Sequence, residues 1–350
     1  MLAAAVLLPI PADALSAQKA CAMDAVSGRV LLEKDADSQS LIASTTKIMT
    51  ALVVCEQCNV LDRMRIPKEA VGIEGSSMYL REGEVLTIQE LLYGLMLRSG
   101  NDAAVALALY CGGSVENFAE LMNDKARSLG LRNTHFVNPN GLDAPDHYST
   151  ARDLAVLATY AMENPVFYKT VSAKNIRIGE RSLTNHNKLL WRVEGADGVK
   201  TGYTKAAGRI LVSSATRSQR RIIAVTINAG DDWNDHCVML NDGFSRYCQK
   251  TIVSEGECLG TLEVAGSGSG PVEILAAAEF SFPLAEEESP YTMLPGPGFV
   301  YAPVAEGEDA GTAYVLIKDR AIGQIPVVYG RTVEQEAQEE KGFFEKLFRR

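Results

Sequence analysis

The sequence predicts an α+β fold, and three features of its hydrophobic patterning carry that expectation. Residues 20–32 alternate apolar and polar around Ser27-Gly28, residues 44–162 hold a series of helical periodicities, and residues 195–228 return to strand-like runs. A strand pair, then helices, then a strand triplet bring both ends of this segment into one sheet with helices layered on it.

The elements follow in chain order. Residues 1–17 carry an apolar run through Ile10, then small residues around Pro9 and Pro11, with Ala12-Asp13-Ala14 and Ala14-Leu15-Ser16 as cleavage words. This reads as an export signal, although it lacks a basic first region, and it is too short for a membrane span of about 20 apolar residues. Strands are expected at 21–25 and 29–32, and a helix at 44–55 with Ile48, Leu52 and Cys55 on one face. Further helices are expected at 87–97, 102–110, 115–129 and 150–162, and strands at 195–204, 209–214 and 221–228. Near Ser254 the texture changes to short strands separated by Gly and Pro, which places a small all-β domain at 255–331 after a main domain at 18–254. In the last stretch, 332–350, Phe343, Phe344, Leu347 and Phe348 share a helical face ringed by Lys341, Lys346, Arg349 and Arg350. That is the pattern of an amphipathic tail lying in a membrane interface.

Composition limits the chemistry. A chain of 350 residues with 47% hydrophobic and 22% charged residues can bury a substantial core in two domains. Its net charge of -10 argues against nucleic acid as a partner, because phosphate affinity comes from clustered Lys and Arg. Seven cysteines form an odd set, so at least one thiol stays free or pairs between chains. Cys55 and Cys58 form a lone C-x-x-C with no second pair, and His135, His147, His186 and His236 are scattered, so neither a metal nor another cofactor is expected.

Three short words supply an acyl-transfer constellation. Ser44-Thr45-Thr46-Lys47 sits where a polar loop meets an apolar-periodic helix, so a serine and a lysine three residues apart share one face. There Ser44 is a candidate nucleophile and Lys47 its base, provided that Lys47 falls from about 10.4 towards 7 or 8. Burial and a second cation lower a lysine, and Lys200 is the candidate cation. Ser99-Gly100-Asn101 stands at the break between two apolar helices, where both side chains can face a cleft. Lys200-Thr201-Gly202 lies on a strand, with Lys200 and Gly202 on one face and a glycine that lets a ligand approach the backbone. Ser-x-x-K alone is weak evidence, since Ser16 and Lys19 repeat it.

The three words in this order resemble the serine penicillin-recognising enzymes. Longer strings narrow the resemblance: Ala43-Ser44-Thr45-Thr46-Lys47-Ile48-Met49-Thr50-Ala51, Leu97-Arg98-Ser99-Gly100-Asn101-Asp102-Ala103-Ala104, Asn138-Pro139-Asn140-Gly141-Leu142, Ser149-Thr150-Ala151-Arg152-Asp153 and Gly198-Val199-Lys200-Thr201-Gly202-Tyr203-Thr204. They are similar to the low-molecular-mass penicillin-binding proteins, the D-alanyl-D-alanine carboxypeptidases. The resemblance implies a β-lactamase/transpeptidase-like domain, an antiparallel sheet with helices on both sides and a helical subdomain, followed by a small β domain and an amphipathic tail.

It also implies a chemistry. Ser44 would attack the penultimate D-Ala carbonyl of a peptidoglycan stem peptide, giving its proton to Lys47, with the N–H groups of Ser44 and Tyr203 as oxyanion hole. Ser99 would relay a proton to the departing D-Ala, Asn101 would hold the peptide and orient Lys47, and Lys200 with Thr201 would bind the terminal carboxylate. β-Lactams would acylate the same serine on the outer face of the bacterial cytoplasmic membrane. His186 stands near the place of an arginine that assists carboxylate recognition in the family, and Arg209 replaces an uncharged residue and is expected to face solvent. Two other classes share parts of this pattern. A class A β-lactamase needs a deacylating glutamate, and 138–153 holds only Asp143, Asp146 and Asp153 as acids. A non-catalytic wall-binding protein has no need of all these side chains.

Overall fold

The computed structural model describes residues 11–336. Residues 1–10 and 337–350, which carry most of the expected leader and the apolar face of the expected tail, lie outside the described residues. The chain divides into two compact units between Tyr247 and Cys248, ahead of the change in texture near Ser254.

In the first unit, β1 (Lys19–Asp24) and β2 (Val30–Lys34) form a hairpin. A 3-10 turn over Ala43–Thr46 leads into α1 (Lys47–Gln57). β3 (Arg63–Arg65) pairs with β4 (Val85–Thr87), which enters α2 (Ile88–Leu97) through a capping box between Thr87 and Glu90. The helical layer continues with α3 (Asn101–Gly112), α4 (Val115–Ser128), α5 (Ala151–Ala161) and α6 (Pro165–Ser172). Ser114 and Thr150 cap α4 and α5 through their side-chain oxygens, which is why those starts are legible in the sequence. A second hairpin, β5 (Asn175–Ile178) and β6 (Arg181–Thr184), precedes β7 (Ala196–Thr204), β8 (Gly208–Arg217), β9 (Arg220–Ile227) and α7 (Asp232–Arg246).

The strands order β2-β1-β9-β8-β7, antiparallel throughout, so the expected hairpin and triplet share one five-stranded sheet. Helices cover both of its faces. Ile223, Val225 and Ile227 of β9 belong to the main core with α1, α2, α3 and α5. On the other face, Thr226 meets His236 of α7, and Gly243 of α7 fits against Ile222 and Leu31 with no room for a Cβ. Burial from both sides explains why β8 and β9 read as apolar runs and not as strict alternation.

The periodicity does not reveal α7, because the first half of its buried face carries Asp232, Asp235 and His236 and only Met239 and Leu240 follow as apolar residues. Asp235 there accepts from Ser16 N (3.0 Å), Ser16 Oγ (2.8 Å) and Ala17 N (3.0 Å), and Leu15 and Ala17 are buried. The short α6 and the β5–β6 hairpin, four residues per strand, are also not evident in the periodicity.

Among the described residues of the second unit there are only strands. β10 (Cys248–Val253) pairs with β13 (Phe280–Leu284). β11 (Cys258–Ala265), β12 (Val272–Ala276), β14 (Pro290–Met293), β15 (Phe299–Tyr301), β16 (Asp309–Ile317) and β17 (Arg320–Tyr329) form a sheet of order β14-β16-β17-β12-β11-β15. Val272, Ile274, Ala313 and Val327 centre one small core, and Val253, Val315 and Ile325 another.

Candidate active site

Ser44 lies on the 3-10 turn that precedes α1, and Lys47 is the first residue of α1 itself. Their spacing sets Lys47 Nζ 3.1 Å from Ser44 Oγ. The turn is held from below. Ala43 enters it at φ 45°, and Gly141, at φ 85°, packs so closely that a Cβ would lie 1.9 Å from the Ala43 carbonyl oxygen. Thr46 Oγ1 donates to Ala43 O (2.9 Å), and His147 braces it from behind. Because His147 Nδ1 accepts from Val137 N (3.1 Å), the ring proton is assigned to Nε2, which donates to Thr46 Oγ1 at 2.8 Å. Burial, aided by the nearby His135, holds His147 down to about 4, so it is neutral at neutral pH.

Lys47 is completely buried, and its Nζ also reaches Asn101 Oδ1 (2.7 Å) and the Asn140 carbonyl. Burial first, and the positive charge of Lys200 second, lower its pKa well below the ordinary lysine value against an opposing pull from Asp102. A neutral amine has two N–H groups and one lone pair. With the two N–H groups spent on Asn101 and Asn140, the lone pair is left for the Ser44 hydroxyl, the arrangement a general base requires.

The junction between α2 and α3 places the second word. Ser99 turns the chain at φ 61°, and Asn101 begins α3 with its N–H on Ser76 O (2.7 Å) and its Nδ2 donating to Glu74 O. Asp102, buried beside it, accepts from Met78 N (3.1 Å), Leu80 N (3.0 Å) and Ser77 Oγ (2.6 Å). That carboxylate organises the 74–80 loop, which delivers Ser76 to the cleft wall.

β7 forms the opposite wall. A Cβ on Gly202 would sit 3.3 Å from both Ser44 N and Ile42 O, so only a glycine lets the strand run this close to the nucleophile turn without displacement. Lys200 is buried, donates to Thr201 O (2.8 Å), and is lowered by that burial to about 7. A cleft of about 470 Å³ opens between these walls, lined by Ser44, Ser76, Ser99, Thr201, Gly202 and Tyr203, with His186 at its side. His186 is held down to about 4 by burial and then by Lys200 and Arg98, so above that pH it offers neutral hydrogen bonds and no charge.

A sequence profile of the D-alanyl-D-alanine carboxypeptidases, peptidase family S11, matches residues 8–231. The chain belongs to this family. It is 33% identical to the D-alanyl-D-alanine carboxypeptidase DacC of Escherichia coli (strain K12) over 97% of this chain and 88% of that protein. To DacF of Bacillus subtilis (strain 168) it is 31% identical over 89% and 84%. Its fold is similar to penicillin binding protein 5 from Haemophilus influenzae, with a TM-score of 0.79, 29% identity, and 94% of this chain and 100% of that chain covered. The expected α+β fold is therefore that of the family.

All nine expected site residues, Ser44, Lys47, Ser99, Asn101, His186, Lys200, Thr201, Gly202 and Tyr203, are gathered at this cleft or directly beneath it. Arg209 is exposed, as expected, and it also lines the far wall, ion-paired with Asp232, its guanidinium 6.0 Å from the Trp233 ring centre. The second Ser-x-x-K copy is structural: Ser16 binds Asp235, and Lys19 Nζ donates to Gln39 O (2.9 Å) and Ser40 Oγ (2.7 Å). Sequence reasoning did not assign Asn140, His147 or Asp102 to the site. Asp102 leaves a sequence signal as an acid in the first turn of an otherwise apolar helix, and Asn140 leaves one inside a string that carries the resemblance.

Proposed function

We propose that this chain is a serine-type D-alanyl-D-alanine carboxypeptidase that removes the terminal D-Ala from peptidoglycan stem pentapeptides through a Ser44 acyl-enzyme. The observation that carries this reading is the buried Lys47 amine, bonded to Asn101 and Asn140 and facing Ser44 Oγ at 3.1 Å. Ser44 attacks the carbonyl of the penultimate D-Ala while Lys47 takes its proton. The N–H groups of Ser44 and Tyr203 stabilise the oxyanion, a contribution of about 10²–10³ in rate for one such donor elsewhere. Ser99 passes a proton to the leaving D-Ala, Asn101 holds the peptide, and water cleaves the ester.

Selection of a free C-terminus follows from charge. Lys200, beside Thr201, meets the terminal carboxylate, while the charge of Arg209 on the same cleft is already balanced by Asp232. An internal peptide bond brings no anion, and a buried cation left unpaired is costly. His186, neutral at neutral pH, supplies a hydrogen bond where an arginine supplies charge. β-Lactams acylate the same serine and leave slowly.

Export and a peripheral membrane contact are part of this proposal, supported by the apolar N-terminal run and by the Phe343, Phe344, Leu347 and Phe348 face of the sequence. No helix of the described residues is long and apolar enough to cross a membrane. The burial of Leu15 and Ala17 supports a leader that ends no later than Ala14.

The test is release of D-Ala from diacetyl-Lys-D-Ala-D-Ala. The parent protein releases it and Ser44→Ala does not; persistent release by the variant removes Ser44 as nucleophile. Rapid turnover of penicillin without peptide cleavage would support a β-lactamase instead.

A further inference from the structure

α1 and α3 run side by side in the same direction. Their first residues, Lys47 and Asn101, hydrogen-bond at 2.7 Å, and at their C-terminal ends lie Cys58 and Cys111, close enough for each thiol to perturb the other. We propose that Cys58 and Cys111 form a disulfide that staples the C-terminal ends of the two helices whose N-terminal ends carry the catalytic amine and its amide partner.

The local backbone suits that bond. Cys58 is the first residue past α1, with φ -119° and ψ 147°, so its side chain has left the helical path and is free to turn towards α3. Cys111 lies in the last turn of α3. Both are half-buried and pack on the main core, which leaves them reachable by a small disulfide yet held in place. The adjacent pair Tyr110 Oη and Asp62 Oδ2, 2.8 Å apart, joins the same two segments.

Cys55 is the competitor, since it makes a C-x-x-C with Cys58, but it lies within α1, partly buried against the core, with its thiol pushed up to about 12 by burial. The described residues hold no group of three or more ligands suited to a metal, so the three sulfurs do not converge on one.

The oxidant is a disulfide-bonded thiol compound. The neighbouring Cys111 thiol holds the Cys58 thiol below its ordinary value and so favours its thiolate. Cys58 attacks one sulfur of the oxidant, breaking that S–S bond and expelling one thiolate, which takes a proton from solvent. Cys111 then loses its proton to solvent and attacks Cys58 Sγ, expelling the second thiolate, so one dithiol and one disulfide become one disulfide and two thiols. Export supplies the compartment in which this state persists, whereas a reducing cytosol keeps the dithiol.

The test uses the purified full chain, treated either with glutathione disulfide or with dithiothreitol. After denaturation the reduced protein shows seven alkylatable thiols, and the oxidised one is expected to show two fewer, with a non-reduced peptide linking Cys58 to Cys111 in its mass spectrum. Closing a loop of roughly 50 residues is expected to raise the thermal midpoint by about 5–10 °C on oxidation. That rise persists in Cys55→Ser and disappears in Cys111→Ser. Seven free thiols after oxidation, a Cys55–Cys58 linkage, or a rise retained in Cys111→Ser overturns the proposal. None of these readouts depends on peptidase activity, so its failure is separate from failure of the functional reading.

Discussion

Lys47 Nζ lies 2.7 Å from Asn101 Oδ1, and each residue opens its own helix, α1 and α3. Two positive helix ends therefore converge on one buried amine. Burial and Lys200 lower Lys47 most, and the two dipoles act in the same direction. The neutral amide of Asn101 accepts a hydrogen bond from the amine without supplying the negative charge that would restore the ammonium.

That relationship predicts how substitutions at Asn101 separate. Asn101→Ala leaves Lys47 without one orienting acceptor and is expected to slow acylation by benzylpenicillin about 10²-fold, within the range for a displaced general base. Asn101→Asp places a carboxylate against the amine, raises its pKa, and moves the acid limb of the acylation rate to higher pH. Pre-steady-state acylation rates across pH measure both. An unmoved limb in Asn101→Asp is incompatible with Lys47 as base.

Lys200 predicts the other limb. Buried to a pKa of about 7, it is charged below that pH and neutral above it. A carboxylate-binding role needs the charged form, so kcat/KM for the peptide is expected to fall on the alkaline side with an apparent pKa near 7. Penicillin esters lacking the carboxylate should not show that limb. Identical profiles for the two substrate types would remove Lys200 from anion recognition.

Gly141 carries a steric prediction. A methyl group there meets the Ala43 carbonyl oxygen at 1.9 Å and imposes φ 85° on an L-residue. Gly141→Ala is expected to cost about 1–3 kcal/mol of stability and to shift the Ser44 turn. Thermal melts and penicillin labelling should therefore fall together. Full labelling with an unchanged midpoint contradicts the packing described.

Two histidines predict acid sensitivity. Burial holds His147 down to about 4 and His236 to about 3, while in the unfolded chain both titrate near 6.5. Between pH 6.5 and 4 the unfolded state binds protons that the folded state refuses, so stability is full above about 6.5 and falls as pH drops. From pH 6.5 to 5 the loss is about 2 kcal/mol per histidine. Urea midpoints at these pH values measure it, and His236→Gln, whose neutral amide can replace one of the ring's bonds to Ser213 or Thr226, should flatten part of the slope.

Local signals were legible where each residue reports its own environment. Thr87 with Glu90, and Thr150 before an apolar run, are cap patterns, and they start α2 and α5. The strands around Lys200 and the helix behind Lys47 follow from periodicity in the same way. α7 was not legible, because the first half of its buried face is polar and satisfied by groups distant in sequence, Ser16, Ser213 and Thr226.

By itself, the sequence determined the α+β order of elements and the three words that carry the acyl-transfer chemistry, since propensity, capping and spacing act over a few residues. Only the tertiary structure decided that the Asn140 carbonyl accepts from Lys47, that His147 supports the Ser44 turn, and that Arg209 pairs with Asp232 at the edge of the cleft. Those contacts join residues tens of positions apart, and their energy exists only once burial has removed water from around them. The lowered pKa of Lys47 belongs to the same class, because it arises from the packing of Lys200, α1 and α3 around it.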